Sequence, residues 1–506
     1  MGKNDYLGKE KVGKLLVKFA VPCILSLIIS CLYNIVDQIF VGNMIGRAAN
    51  AATGIIFPVT VIGWGISLLF GDGAAAWLST SLGAQKSERI HKSVGNAMLG
   101  TVFFGCILIL VAYLWGDGLL RLIGASDEML EGTDKSVLSY AHEYGIIIYA
   151  MIPLALLQNC LAAIIRADGS PLYSMIAMIV GAVLNIAGDP LFIKLTGSIS
   201  GAAWATIIGQ FVSFVICVCY LFKSKTFKLT LRSFIPDFKT LGKIIQLGLS
   251  SFLTQLCIVA ITIVNNIMLM KFGILAGYVG GEIPQAAFVV IMKLFQIVLN
   301  IAIGLAAGAQ PIVGYNYGAG HYARVRKLLG LVLAWTTGIC LLFTVLFEAA
   351  PHAFISIFGG SGGAGGAEYM KFAVPCMRIY LMFITLTCLQ KVCAIFLQSI
   401  GKARFAAPLS FIRDVVLIIA AIALPFAMGV TGVFWSAPIA DAVAAAATVP
   451  VMLYVYKSLK ANPKPTDDGV SLEENDGVLL NEEQSFAEDE PAIGGGGEVR
   501  AEKVSE

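Results

Sequence analysis

LYNIVDQIFVG, residues 32–42, places Asp37 inside an otherwise apolar run. A carboxylate at membrane depth costs about 3 kcal/mol on insertion scales, so an acid kept there needs a partner or a task. The surrounding stretch, Lys14 to Met44, is long enough to cross a bilayer and nearly free of charge. The reading of this segment as a transmembrane helix decides the fold class, and the reading of Asp37 directs the search for a site.

The rest of the chain repeats the pattern. Of 506 residues, 58% are hydrophobic and 13% charged, and the mean hydropathy of +0.82 exceeds that of a soluble domain. Apolar runs bounded by Gly, Pro or charge predict an all-α polytopic membrane protein with twelve spans. They lie near 15–43, 52–80, 94–116, 138–165, 172–193, 200–222, 243–270, 283–310, 328–349, 371–400, 405–428 and 432–456. The first run is too long for a signal-peptide core and is expected to remain as a span. The eleven cysteines fall in apolar runs without a CxxC pair, which predicts packing residues, with no disulfide and no zinc site. The four histidines, His91, His142, His321 and His352, fall at loops or span ends in no metal-ligating spacing.

Most of the 35 basic residues fall on the side shared by the N-terminus, the even-to-odd loops and the C-terminal tail. The positive-inside rule puts both termini in the cytoplasm, in a plasma membrane. It makes Lys and Arg reporters of orientation, and no nucleic-acid partner is expected. The basic stretch 223–242 falls midway and divides the chain into a cytoplasmic tail 1–14, a first lobe 15–222, a linker, a second lobe 243–456, and an acidic tail 457–506 expected to be disordered. Internal matches at a constant offset, such as Gly73 with Gly308, Gln158 with Gln390 and Trp204 with Trp435, predict two pseudo-symmetric six-helix lobes in parallel orientation.

Counting about 1.5 Å per residue from the outer ends of the spans puts Asp37, Asn185, Asp189 and Thr206 in one layer, with Asn34 a turn from Asp37. Two carboxylates with amide and hydroxyl oxygens can hold a proton, or a sodium ion at Asp37, Asn185 and Asp189. A hydrogen-bond network that only packs helices is the alternative. In the second lobe, Lys293 and Asp441 are expected to pair within the bundle, as a structural ion pair or as part of transport. Arg413 and Asp414 are expected to point apart, and Arg378 and Lys391 to snorkel to the membrane faces. A substrate cavity is expected among Gln158, Gln255, Asn265, Met292, Lys293, Gln296 and Asp441. The Gly-rich stretch 359–366 lacks the ending of a phosphate-binding loop, which disfavours ATP hydrolysis.

The stretches YNIVDQIFVGNMIG (33–46), GDGAAAWLSTSLGAQKSER (71–89), NIAGDPLFI (185–193) with GAAWAT (201–206), and GAQPIVGYNYGAG (308–320) resemble the multidrug and toxic compound extrusion (MATE) family, in its MepA-like bacterial branch. The resemblance covers residues 10–458. It implies a V-shaped pair of six-helix lobes around a cavity, and a monomer without cofactor that is no enzyme. Its activity would be export of small organic, often cationic and apolar compounds, driven by inward sodium or proton flow. By motif, Asp37, Asn185, Asp189 and Thr206 match the family's cation site in the first lobe. The acid that some relatives carry in span seven is absent; Gln255, Asn265 and Asn266 stand there. A flippase for a lipid-linked precursor, an intramembrane hydrolase with Asp37 and Asp189 as an acid pair, and a non-transporting receptor are the competing readings.

Overall fold

In the computed structural model, residues 6–123, 135–278, 282–357 and 366–461 are described. The expectations for the 359–365 glycines and for residues 462–506 of the acidic tail lie outside them, while 457–461, read as the start of that disordered tail, continue the last helix. Within them the chain is helical almost throughout. A short α1 (Tyr6–Lys9) leads into α2 (Val12–Met44), α3 (Arg47–Gly83) and α4 (Ser87–Leu114). There follow α5 (Gly116–Ile123), α6 (Val137–Ala150), α7 (Ile152–Ala167), α8 (Pro171–Thr196) and α9 (Ser200–Leu221). After a 3-10 turn, Leu231–Phe234, come α10 (Phe238–Leu275), α11 (Glu282–Gly318), α12 (Tyr322–Ala349), α13 (Pro351–Ile357) and α14 (Gly366–Leu381). The chain closes with α15 (Ile384–Ser399), α16 (Ala403–Ala423), α17 (Pro425–Met428) and α18 (Thr431–Ala461).

Eleven helical segments are long and apolar enough to cross a membrane, with α14 and α15 forming one of them; the pair α6 and α7 makes a twelfth. That pair covers the span expected at 138–165 and breaks it, its two helices meeting at 54°. Pro153 in the first turn of α7 has no N–H to continue a ladder from α6. Two other boundaries move. Helix α2 already begins at Val12, inside the stretch read as a tail, and α10 begins at Phe238, inside the stretch read as a linker. Asp237 caps α10, accepting from the Lys239 N–H (3.1 Å) and the Thr240 hydroxyl (2.8 Å). The Thr240 bond chiefly holds the Asp237 carboxyl below the usual carboxylate range.

The buried side chains fall into two large clusters. One runs from Val41 to Ile244; the other gathers residues from Cys257 to Leu459 and also takes in Leu7, Val12, Leu15, Leu16, Phe19 and Ala20. Helix α2 therefore belongs to both halves: its first turns pack into the second core against α11, and the helix also packs on α8. The most extensive other cross-half contacts join α3 to α10 and α11. Near the N-terminal side these approach backbone to backbone. A Cβ on Gly83 would collide with the Tyr315 carbonyl, and one on Gly318 with that of Thr80.

Candidate functional site

Asp189 and Asn185 lie one turn apart on α8, where Gly181 and Gly188 let α9 approach closely. Asn185 Nδ2 donates to Thr206 Oγ1 of α9 at 3.1 Å and is 3.4 Å from Asp189 Oδ1. Both facing atoms are acceptors in this arrangement, so the amide oxygen is left over. Asp37 on α2 brings its carboxyl within hydrogen-bond reach of that of Asp189. Asp189 is 0% exposed and Asn185 3%. Three buried oxygens, Asp37 Oδ1, Asn185 Oδ1 and Asp189 Oδ2, have no hydrogen-bond donor. Asp37, Asn185, Asp189 and Thr206, read from one layer of the sequence, thus form one cluster on three helices.

Such a cluster has a charge deficit. Two adjacent buried carboxylates repel at short range and low dielectric unless a positive charge sits between them. A shared proton supplies it, as does a small cation that takes oxygen ligands. Among the described residues no three His, Cys, Asp or Glu side chains form a metal cluster, so a cation would draw on the Asn185 or Thr206 oxygen beside the two acids.

Beside Asp189, and lined in part by the rest of the cluster, lies a cavity of about 230 Å³ whose wall runs from Ser30 to Ser213, wholly in the first half. Asn34, Asp37, Gln158, Asn185 and Thr206 line it; Gln255, Asn265, Met292, Lys293, Gln296 and Asp441 do not. Gln158 donates to Ser213 at 3.1 Å, and Asn34 to the Ser30 carbonyl at 2.7 Å. The aromatic wall of Tyr33, Phe57, Trp64 and Tyr144 was not read from the sequence, since aromatic residues recur throughout these spans. Tyr144 of α6 shares this wall with Thr206 and Asp37, which brings α6 beside the acid cluster.

The second half corrects three expectations. Asp441 pairs with Arg413 (2.7 Å) and accepts from Thr387 (2.6 Å), while Lys293 sits near Cys31 of α2. Arg413 also reaches its neighbour Asp414 at 3.3 Å, because a long guanidinium can curl over the same turn. Lys391 does not snorkel: it is buried, pairs with Asp414 at 2.8 Å and donates to the Ser410 carbonyl at 3.1 Å. These two bases and two acids lie between 1% and 7% exposed and balance in charge. Arg378 bonds Glu348 at a half-exposed end of α14. Asn265, 0% exposed, has no partner for either amide atom among the described residues.

Relatives agree with this architecture. The chain is 26% identical over 454 residues to a multidrug export protein MepA of Staphylococcus saprophyticus, covering 89% of this chain and 95% of that one. It is 25% identical over 453 residues to a MepA of Staphylococcus aureus, with the same coverage. A MATE crystallised with MaL6 superposes with a TM-score of 0.81 at 23% identity, covering 91% of this chain and 100% of that one. An outward-facing multidrug resistance MATE transporter of the MOP superfamily gives 0.80 at 23% identity over 91% and 99%. The MatE family model matches residues 22–191 and 257–423, one segment in each half and well over half of the sequence. The chain is a multi-pass membrane protein and belongs to the MatE family.

Proposed function

We propose that this protein is a multidrug exporter of the plasma membrane that exchanges small organic, often cationic compounds for inward-moving sodium or protons. The two lobes, 15–222 and 243–456, joined by 223–242, alternate the cavity between the membrane faces, with both termini in the cytoplasm and the monomer as the working unit. The observation that carries this reading is the contact of Asp37 with Asp189 at the cavity wall, with three buried oxygens lacking a donor. Binding of the coupling ion there removes the repulsion between an acid on α2 and one on α8. The free energy of ion binding can thereby bias the packing of α2, which lies between the halves. The names of the MepA relatives support export of drugs as the activity. The cavity wall carries a carboxylate and, among the described residues, no lysine or arginine, which suits a cation better than the anionic head group a lipid flippase would carry.

The test is ethidium efflux from energised proteoliposomes, with wild type, Asp37→Asn and Asp189→Asn under separate sodium and proton gradients. The expected result is efflux driven by one gradient in the wild type and a loss of tenfold or more, about 1.4 kcal/mol or above, in both variants. Unchanged efflux in both would return the acids to a packing role.

A further inference from the structure

Asp72 is a further membrane-depth acid, flanked by glycines in the GDG of α3, and the ion cluster does not use it. Its neighbours come from three other helices. Across the seam, Ser251 of α10 donates to Asp72 Oδ2 at 2.9 Å, and Gln310 of α11 reaches the Asp72 carbonyl at 3.4 Å. Within its own half, Arg166 at the end of α7 holds Nη2 3.9 Å from Asp72 Oδ1, inside ion-pair range but beyond a hydrogen bond. Arg166 is 18% exposed and Asp72 19%, so both charges are largely removed from water.

The backbone explains why the acid sits on the seam. A Cβ at Gly73 would collide with the Ile244 carbonyl, and one at Gly248 with that of Leu69. With α3 and α10 in backbone contact, the short Ser251 side chain spans the gap to Asp72. Any motion that separates the halves must break this bond. A largely buried carboxylate left without a donor would oppose that motion. Arg166 offers the replacement: a shift of about 1 Å would turn the 3.9 Å approach into a charge-assisted hydrogen bond at the usual 2.7–2.9 Å.

We propose that Asp72 is a positioning residue of the transport cycle, latching α3 to α10 through Ser251 when the seam is closed and exchanging that bond for Arg166 when it opens. This rests on the alternating-access reading. Ser251 thus favours the closed seam and Arg166 the open one, with the carboxylate serving both. The two partners therefore shift the equilibrium in opposite directions, which simple packing roles would not do.

The experiment uses the full chain in nanodiscs, spin-labelled at Ser87 and His321, two exposed positions at the N-terminal-side ends of α4 and α12. Distance distributions are measured for wild type, Ser251→Ala, Ser251→Thr, Asp72→Asn and Arg166→Gln. Ser251→Ala is expected to raise the open-to-closed ratio about tenfold, the worth of a hydrogen bond to a charged group, and Ser251→Thr to restore it. Arg166→Gln is expected to lower the ratio by a similar factor and to slow turnover more than it changes half-saturation, and Asp72→Asn, which removes the charge that both partners use, to make the ratio less sensitive to Ser251→Ala and Arg166→Gln. Two wild-type populations with no shift in any variant would overturn the latch and leave alternating access standing. Shifts of all variants in one direction would also overturn it. A single wild-type distance, unchanged with drug or ion gradient, would overturn alternating access itself.

Discussion

Arg413 shows how much one side chain can carry inside a bilayer. It bonds Asp441 and Asp414, lies over the Phe295 ring at 5.3 Å, and is 5% exposed. Removing one partner of a buried pair leaves an uncompensated charge, at about 3–5 kcal/mol. Arg413→Gln is therefore expected to lower the melting temperature in detergent strongly, whereas Lys391→Met with Asp414→Leu keeps the charge balance and loses less. A double variant as unstable as Arg413→Gln would contradict this account. Asn265 presents the opposite case. Neither of its amide atoms has a partner, so Asn265→Leu removes a desolvation cost and is expected to leave stability unchanged or to raise it by about 1 kcal/mol, read as a thermal shift. Stability preserved with efflux lost would assign Asn265 to transport.

At the scale of elements, the seam between α3 and α10 depends on small residues. Apolar surface gives helices little drive to associate in lipid, and close backbone approach replaces it with dispersion. Gly248→Ala inserts a Cβ against the Leu69 carbonyl and is expected to cost about 1–3 kcal/mol, pushing the helices apart. Gly330→Ala on α12 meets nothing within 4 Å and is expected to be neutral or slightly stabilising through helix propensity. Thermal shift and seam distance measured together check both; equal effects would show that the contact is not limiting. Helix α2 carries the other structural link, since its first turns lie in one core and Asp37 reaches an acid of the other half.

For the whole molecule, the two halves differ in charge accounting. The first holds two acids in contact with three oxygens lacking a donor; the second holds two acids fully matched by Lys391 and Arg413. Among the described residues, the acid pair of the first half has the deficit that an added cation would relieve, and the paired acids of the second half do not. Efflux rate against coupling-ion concentration is therefore expected to rise without cooperativity, and Asp189→Asn is expected to abolish the dependence. A sigmoidal curve in the wild type would indicate a second ion site.

The fold was legible in the sequence because span length and charge asymmetry are local properties that the bilayer enforces. So was the cluster of Asp37, Asn185, Asp189 and Thr206, since helical rise converts residue number into depth. Asp72 was open to the same argument, as an acid within an apolar run, but its meaning depends on Ser251 lying 179 residues away. Depth does not give azimuth, and for this reason Arg413, and not the expected Lys293, pairs with Asp441. The sharing of α2 by both cores and the enclosure of the cavity within the first half are set by which helix faces meet. Packing between distant segments decides those, through close backbone approach and the need of each buried charge for a partner.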